Sequence, residues 1–430
     1  MAPTIAPVTT STDFPRATTV VIIGGGIIGL TAALTLAERN IPVVVLEKGR
    51  IAAEQSSRNL GWVRKTSRHA ADIPLALAAD RLWAQMSARV GADVGYRQQG
   101  IMFVGRTAAQ MAMHEDWLKS VAHLSLDSRL LSTREIDSLV PGGVGAWEGG
   151  IFTPSDARAE PTLASSAIAK AAMALGAVIV EHCAVRTLQM TAGRVSGVVT
   201  ERSEIRCDHV LLAGGLWSRR FLGNLGVALP TLPLTCSVLR TAPMAGPTEI
   251  AVGAPDFSFR KHHDGGFIIT QRGKLDAFLT LDHLLLAKQY MPQFRAQRSV
   301  LNVSLGKPFM QDLALARRWR DDSITPFERV RVQNPAANPQ LNTAAMNNLI
   351  AAWPVFEQAR IAQAWAGTLD VTPDSNPVIA PITQIPGLTV ATGFSGHGFG
   401  TSPAAGHLAA DLVSEHTPII DPTPYRFDRF

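Results

Sequence analysis

Three glycines near the start of the chain have the spacing of a phosphate-binding turn. Gly24, Gly26 and Gly29 follow a β-branched run at residues 19–23, and apolar residues recur at helical spacing from Ile27 onward. In such a unit the first glycine permits a tight turn, the second lets the backbone approach a pyrophosphate, and the third lets the helix pack closely on the strand. The N-terminus of the helix then faces the phosphates with its partial positive charge. The stretch therefore predicts a dinucleotide site.

An acidic residue further along this stretch selects among dinucleotides. A helix predicted over residues 27–39 is followed by a second strand over residues 41–46, which ends at Glu47. A carboxylate in this place receives the hydroxyl groups of a ribose and disfavours the 2′-phosphate of NADP, which leaves FAD or NAD. A membrane helix is the alternative, because residues 20–37 carry no charge. It fits poorly, because consecutive glycines interrupt the run and the acid at Glu38 ends it too early.

The composition is that of a large globular chain. With 430 residues, of which 46% are hydrophobic and 17% charged, the chain has material for two or three domains or one large two-part fold. The net charge of +5 suits an acidic ligand or peripheral contact with a membrane surface. Nucleic acid is not expected as a partner, because no basic run is interleaved with aromatic residues. No transmembrane segment is expected either.

The cysteines and the N-terminus bear on location. Cys183, Cys207 and Cys236 are odd in number and lack metal-ligand spacing, which favours a reduced, cytoplasmic protein without a metal site. Residues 1–17 have no basic start or apolar run and are expected to form a loose extension instead of a signal peptide.

Four further motifs follow Glu47 in a specific order. They are SSRNLGW (56–62), HVLLAGGLWS (209–218), WAGTLDVTPDSNPVIAPI (365–382) and LTVATGFSGHGFG (388–400). On this order the chain resembles the glycine/D-amino-acid oxidase family of FAD enzymes, which includes sarcosine oxidases and D-amino-acid dehydrogenases. The resemblance covers residues 18–413 and is thinnest between residues 275 and 346. It favours FAD over NAD, because enzymes that use only NAD lack the C-terminal flavin loop.

The resemblance implies a set of cofactor-binding residues, from the pyrophosphate to the pyrimidine end of the flavin. They are Gly24, Gly26, Ile27, Ile28, Gly29, Glu47, Lys48, Ser57, Arg58, Asn59, Gly61, Val185, Ala213, Gly214, Trp217, Gly367, Gly396, His397, Gly398 and Phe399. The dipole of a helix predicted over residues 401–413 would stabilise negative charge on the reduced flavin. No cysteine or histidine matches the residues that bind flavin covalently in some family members, so non-covalent FAD is expected.

The expected fold is α/β, with a Rossmann-type FAD-binding domain and a substrate domain on a mainly antiparallel sheet. The FAD-binding domain is predicted over residues 18–94, 148–224 and 347–416, the substrate domain over 95–147 and 225–346, and a C-terminal tail over 417–430. The stretches YRQQGIMFVG and FSFRKHHDGGFIIT are predicted as strands of the substrate domain. The second is a hairpin that turns at residues 264–266.

The implied reaction is oxidation of a C–N bond in an amino acid or amine. Hydride passes to flavin N5, and the resulting imine is hydrolysed by water. One alternative is a flavin enzyme that oxidises 2-hydroxy acids. Another is a flavoprotein subunit that is active only within an amine dehydrogenase complex.

Two carboxylate anchors that are usual in the family are replaced, by Leu369 and by Gly400. Arg64, Lys65, Arg260, Lys261, Arg329 and Arg331 remain as candidate anchors, and Arg64, Lys261 and His397 are the candidate catalytic residues. Asp370 either attracts a cationic amine or caps its own loop. The hairpin strand at residues 267–271 lacks the lysine that sarcosine-type oxidases place over the flavin. This favours a dehydrogenase that passes electrons to a quinone or another carrier over an oxidase that uses oxygen.

Overall fold

The structure is a computed structural model that describes residues 2–430. The strands are β1 (Val20–Ile23), β2 (Val43–Leu46), β3 (Trp62–Val63), β4 (Ile101–Gly105), β5 (Arg129–Leu131), β6 (Gly149–Thr153), β7 (Ala157–Arg158), β8 (Val178–Val180), β9 (Val185–Thr191), β10 (Arg194–Thr200), β11 (Glu204–Arg206), β12 (His209–Leu212), β13 (Leu232–Thr241), β14 (Ala251–Gly253), β15 (Ser258–Lys261), β16 (Phe267–Thr270), β17 (Leu275–Phe278), β18 (Leu301–Ser304), β19 (Ile361–Val371), β20 (Val378–Pro381) and β21 (Leu388–Thr392).

The α-helices alternate with these strands and, with the sheets, confirm the mixed α/β fold class. They are α1 (Ile27–Glu38), α2 (Gln55–Arg58), α3 (Ile73–Val90), α4 (Ala108–Ser120), α5 (Thr133–Leu139), α6 (Pro161–Ala174), α7 (Ser218–Asn224), α8 (Leu281–Leu285), α9 (Ala287–Gln297), α10 (Lys307–Leu313), α11 (Pro326–Arg329), α12 (Pro339–Ala352) and α13 (Gly398–Val413). Within residues 2–430, no helix combines the length and the hydropathy needed to span a bilayer.

A six-stranded sheet carries the glycine motif. Its order is β20-β21-β12-β1-β2-β8, and all neighbours are parallel except β20 and β21. The strands come from three separate parts of the chain, residues 20–46, 178–212 and 378–392. Strands β1 and β2 are almost fully buried, as expected for parallel strands covered on both faces. The strand, helix and strand predicted around the glycines are therefore confirmed.

Helix α1 explains why this part of the chain is uncharged. All its residues from 27 to 37 are buried, and α13 packs along one side of it. Thr31 Oγ1 donates a hydrogen bond of 2.9 Å to the carbonyl of Ser402, and a Cβ atom at Gly406 would collide with the Thr31 side chain. The apolar stretch is thus the core of a close helix pair.

A larger mixed sheet stands beside the first, in the order β18-β17-β13-β16-β15-β14-β4-β6-β5, with β19 paired to β13. The predicted hairpin is present as β15 and β16, and its turn is closed by a 2.9 Å hydrogen bond from the Gly266 amide to Asp264 Oδ1. Strands β6 and β19 belong to this sheet although they lie in stretches predicted for the FAD-binding domain. The domain boundaries there stay a prediction.

Helix α13 starts earlier than the sequence indicated. It begins at Gly398 instead of residue 401, and His397 occupies its N-cap position. The chain reaches this point through Gly396, whose φ of +83° suits glycine. The helix N-terminus therefore lies inside the glycine-rich loop, where its partial positive charge is available to a ligand.

Candidate active site

The carboxyl ends of the parallel strands open into a long cleft. Its empty volume is about 1220 Å³, the open mouth included. The last residues of three neighbouring strands, Ile23, Leu46 and Leu212, line it. In open α/β sheets, ligands bind in this position, outside the carboxyl ends of the strands.

The glycine turn at the floor of the cleft behaves as its spacing predicts. Gly24 has a φ of +112°, and a Cβ atom there would come within 2.5 Å of the Ala213 carbonyl oxygen. A Cβ atom on Gly29 would collide with the Gly24 carbonyl, so this glycine allows close packing and lies behind the cleft wall. A Cβ atom on Gly26 would meet only Ser56 Oγ, at 3.3 Å, and Gly26 itself lines the cleft. These are the three roles expected of a pyrophosphate turn.

Glu47 is held at the next strand end. Its carboxylate accepts hydrogen bonds from the amides of Gly25, at 2.8 Å, and Gly49, at 2.7 Å. Burial raises the pKa of Glu47, and the neighbouring charge of Lys48 opposes that rise. A carboxylate fixed in this way at the cleft wall can receive ribose hydroxyl groups.

A segment from a distant part of the chain closes the far end of the cleft. Phe327 and Arg331 line it together with Val185 and Trp217. Lys48 Nζ donates to the carbonyls of residues 330 and 331, at 2.9 Å each, and lies 4.3 Å from the centre of the Trp217 ring. The sequence offers Arg329 and Arg331 only as carboxylate anchors and does not place this segment at the cleft, because the resemblance is thinnest there.

A second cavity adjoins the first. Its empty volume is about 680 Å³, and it is lined by Asn59, Leu60, Gly61, Trp62, Arg64, Arg68, Ser258, Arg272, Ser395, Gly396, His397, Phe399 and Gly400. Asn59, Gly396 and Phe399 line both cavities, so the two cavities lie side by side at these residues. We call this second cavity the arginine pocket.

Arg272 is the least engaged of the arginines in this pocket. Its guanidinium carbon lies 4.4 Å from the centre of the Phe103 ring, and no carboxylate within residues 2–430 forms an ion pair with it. Arg272 is an exposed residue that lines the cavity, so a ligand can contact its side chain.

Arg64 and Arg68 are held more firmly. Arg64 donates to the Thr66 carbonyl, and burial together with the charges of Arg68 and Arg272 lowers the pKa of Arg64 to about 9. Arg68 donates to the Arg64 carbonyl at 2.6 Å and to Asp72 Oδ2 at 2.6 Å. Asp72 therefore compensates the charge of Arg68, whereas Arg64 has no such partner.

His397 lines the arginine pocket, and its chain neighbours Gly396 and Gly398 line the cleft. Its Nε2 is 3.5 Å from Arg64 Nη2, and because a guanidinium can only donate, Nε2 accepts. Burial, followed by the charges of Arg68 and Arg64, lowers the pKa of His397 well below its ordinary value. The imidazole is thus a neutral acceptor that helps orient Arg64.

The family called DAO, described as FAD dependent oxidoreductase, matches residues 19–412. The chain belongs to this family. The match includes the glycine turn, the strand end at Glu47 and the loop before α13, which are the parts of the chain that build the cleft. The chain is therefore a FAD-dependent flavoenzyme, and the cleft is the expected site of its FAD.

Three relatives show the range of the family around this chain. The L-amino acid deaminase from Proteus myxofaciens, solved in complex with anthranilate, is 31% identical, with a TM-score of 0.95 over 100% of this chain and 97% of that one. Glycine oxidase of Pseudomonas putida is 26% identical over 94% of this chain and 97% of its own length. The 4-methylaminobutanoate oxidase of Paenarthrobacter nicotinovorans is 25% identical over 98% of this chain, which spans only 47% of that oxidase. The protein is a FAD-dependent amino acid or amine oxidoreductase.

Most residues predicted for FAD line the cleft together. They are Gly24, Gly26, Ile27, Ile28, Glu47, Lys48, Asn59, Val185, Ala213, Gly214, Trp217, Gly396, Gly398 and Phe399. Their individual roles toward FAD stay a prediction. Gly61 and His397 line the arginine pocket instead.

Other predicted residues lie behind these walls. Arg58 donates to the carbonyls of Ala366, at 3.1 Å, and Ala53, at 2.8 Å, and so ties the loop after β2 to β19. Gly367 packs against the Arg58 side chain, and Ser57 is buried beside it. The structure places none of these three on the cleft surface. The serine that lines the cleft is Ser56, whose Oγ accepts a 2.9 Å hydrogen bond from the Ile27 amide.

Most candidate carboxylate anchors are engaged elsewhere. Lys65 Nζ lies 2.7 Å from Asp80 Oδ2, Arg260 pairs with Glu160, and Lys261 Nζ lies 3.2 Å from Glu249 Oε1; Arg329 is exposed, and Arg331 pairs with Glu201 at the far end of the cleft. Lys261 lines neither cavity. Of the candidates, only Arg64 reaches the arginine pocket.

Asp370 serves its own loop. Its Oδ2 accepts hydrogen bonds from Thr392 Oγ1, at 3.0 Å, and the Gly393 amide, at 2.6 Å. Burial raises its pKa. The capping alternative for Asp370 accounts for these contacts, which hold the start of the flavin loop against β19.

Arg68 and Arg272 are the functional candidates that sequence reasoning missed. Arg272 directly follows Gln271, just after the hairpin strand in which sarcosine-type oxidases carry a lysine. A cation immediately after a buried strand was the available signal. Arg68 stands four residues after Arg64, in a loop whose path could not be predicted from the residue pattern.

Proposed function

We propose that the protein catalyses oxidative deamination of an L-α-amino acid, giving the 2-oxo acid and ammonia. The observation that carries this proposal is the unpaired guanidinium of Arg272 in a pocket that adjoins the FAD cleft. A planar guanidinium group without a carboxylate partner in the protein can donate two parallel hydrogen bonds to the carboxylate of a ligand. An α-amino acid bound there would be confined beside the cleft, where Asn59, Gly396 and Phe399 separate the two cavities.

The relatives support an amino-carboxylate over other substrates of the family. The Proteus myxofaciens protein is named an L-amino acid deaminase, and its bound anthranilate carries an amine and a carboxylate. The structural match covers 100% of this chain, so it includes the parts that build both cavities. The L configuration in our proposal rests on this relative.

FAD, when bound, supplies the hydride acceptor for oxidation of the C–N bond. The protein's part is to position the substrate and to set its protonation state. The positive charges of Arg64 and Arg272 repel a further positive charge in the pocket, so they lower the pKa of a bound α-ammonium group. The neutral amine, which is the form that can be oxidised to an imine, is thereby favoured.

The loop before α13 prepares the cleft for negative charge. The amides at the start of α13, at Gly398 and Phe399, line the cleft at the end that meets the arginine pocket. Free amides and the helix dipole stabilise an anionic group placed there. This is consistent with the role that the resemblance implied for residues 396–399.

The acceptor that reoxidises the flavin is a separate matter. The preference for a dehydrogenase that uses a quinone or another carrier depended on the absence of a cation from residues 267–271. Arg272, one residue beyond this stretch, lines the arginine pocket and not the cleft, so the preference for a dehydrogenase stays a prediction. Non-covalent FAD and a cytoplasmic location, which the unpaired cysteines suit, stay predictions.

The test is anaerobic reduction of the bound flavin by matched panels of L-amino acids, D-amino acids, simple amines and 2-hydroxy acids. We expect bleaching by L-amino acids, with 2-oxo acid and ammonia formed in equal amounts. Admission of oxygen, or of a soluble quinone, then identifies the acceptor. Bleaching by amines without a carboxylate, or by 2-hydroxy acids alone, would contradict the proposal. Acid precipitation of the same sample should release free FAD.

A further inference from the structure

We propose that the substrate carries two acidic groups, namely an α-amino acid with a second carboxylate on its side chain. In this assignment Arg272 holds the α-carboxylate and Arg64 holds the second one. The inference rests on the proposed function, because it names the substrate class of the same pocket.

The charges of the pocket wall are the first reason. Arg64, Arg68 and Arg272 bring three positive charges to it, while no residue of the wall is an aspartate or a glutamate. Asp72, behind the wall, compensates Arg68 through the 2.6 Å ion pair. Two guanidinium groups are left without a counter-charge.

The positions of these two groups are the second reason. Arg64 lies beside His397, whereas Arg272 lies against Gly253 in β14. Both are close to the same Phe103 ring, with guanidinium carbons 5.6 Å and 4.4 Å from its centre. They are therefore near neighbours within one cavity, held by different elements of the fold.

The surrounding residues fix the positions of the Arg64 and Arg272 side chains. A Cβ atom on Gly253 would fall 2.5 Å from the Phe103 ring and would collide with Arg272 Nη1, so the glycine leaves the space in which the guanidinium lies. Arg64 is oriented by the Thr66 carbonyl and by the neutral His397. Preorganised donors of this kind lose little freedom when a ligand binds.

A substrate with one carboxylate would leave one of these charges uncompensated. The reactive form of an amino acid has a neutral amine, so its carboxylate supplies a single negative charge. The remaining guanidinium would be covered by the substrate and lose solvent without gaining a partner, which is costly. A dicarboxylate compensates both groups and satisfies both sets of donors.

The kinetic test compares acids with their amides, which have nearly the same shape. L-aspartate and L-glutamate should reduce the flavin with a kcat/KM roughly tenfold or more above that of L-asparagine and L-glutamine. Arg64→Gln should bring this acid-to-amide ratio close to one. Lys261→Gln, which removes a cation outside both cavities, should leave the ratio as it is. Amides that react as well as the acids would overturn the inference.

A binding test separates the inference from the proposed function. Glutarate and butyrate, which have no amine to oxidise, are titrated into the FAD-loaded protein while the flavin absorbance is followed. Glutarate should bind roughly tenfold or more tightly than butyrate, and Arg64→Gln should remove most of the difference. Tight glutarate binding without oxidation of any amino acid would contradict the proposed function and leave the dicarboxylate site standing. Oxidation of neutral amino acids with equal binding of the two acids would sink the dicarboxylate alone.

Discussion

The FAD cleft and the arginine pocket share a boundary and are built in opposite ways. The floor of the cleft consists largely of backbone, with glycines where a Cβ atom would collide or would project into the ligand space. Its acid, Glu47, is satisfied by backbone amides. The pocket is lined by long cationic side chains, two of which have no acidic partner.

This difference explains what each region can recognise. A backbone cradle reads the shape and charge of a phosphate chain that is the same in every member of the family. Arginine guanidinium groups recognise the number and position of carboxylates, which differ from substrate to substrate. Cofactor binding should therefore depend most on glycines, and substrate choice on arginines.

The largest effect should follow from Gly26→Val. A side chain at this position would occupy the ligand space of the cleft, because Ser56 Oγ is the single protein atom near its Cβ position. We expect a folded protein that binds no FAD, measured as flavin absorbance per chain after desalting. Gly223→Ala is the matched control, since nothing lies within 4 Å of a Cβ atom there. Full flavin occupancy in Gly26→Val would show that the dinucleotide lies elsewhere.

Arg272→Ala should spare the cofactor and remove the carboxylate anchor. Two charged hydrogen bonds, each contributing about 1.5–3 kcal/mol, would be lost, which corresponds to roughly a hundredfold fall in kcat/KM or more. Steady-state kinetics with the best amino acid found in the flavin-bleaching panel measures this. Lys261→Ala should change kcat/KM less than about twofold, because its loss leaves both cavities intact. Equal effects of the two variants would break the contrast between pocket and surface cations.

Arg64→Ala should have a smaller effect of the same kind. FAD should stay bound, and KM for a dicarboxylate substrate should rise, so that kcat/KM falls roughly ten- to a hundredfold. Arg64→Lys should recover part of the loss, because a lysine restores the charge but not the planar fork. Kinetics of Arg64→Ala within twofold of the parent protein would remove Arg64 from the binding site.

The smallest effect should be a pH dependence of the acid-to-amide ratio. Arg64 faces Arg68, Arg272, His397, Asp72 and Asp156, and its pKa is lowered to about 9. The guanidinium is charged below this pH and neutral above it, so the preference for a dicarboxylate should fade as the pH rises through about 9. A ratio of two amino acids largely cancels the titration of their amines. A ratio that stays constant up to pH 10 would contradict the assignment of Arg64.

The cleft was largely predictable because it requires particular residue types that lie close together in the sequence. Gly24, Gly26 and Glu47 lie within one strand-helix-strand unit, and each carries out a task that few other residue types can perform. The start of α13 was misplaced by three residues, because its first turn consists of residues that also suit a loop. Gly398 and Gly400 are poor helix formers by propensity, and tertiary contacts decide their conformation.

The arginine pocket was predictable only in part. Arg64 was found because it follows a flavin-contacting loop closely in sequence. Arg272 lies in the loop after β16, a strand of the other sheet, and only the three-dimensional arrangement brings it to Arg64. Lys261 was equally plausible from the sequence, yet β15 directs it to Glu249. Which of several cations faces a cavity is a property of packing, and the residue pattern does not carry it.

The pairing of α1 with α13 sets a timetable for synthesis. The glycine turn leaves the ribosome well before α13, the helix that covers one side of α1 and helps to line the cleft. At about 5–20 residues per second, roughly 20 to 75 seconds separate the two. During that interval the side of α1 that packs against α13 lacks its partner, and the cleft lacks the residues at the start of α13 that line it. The complete cleft is therefore available to FAD only after α13 has been made, and FAD that binds there stabilises the native form of the released chain.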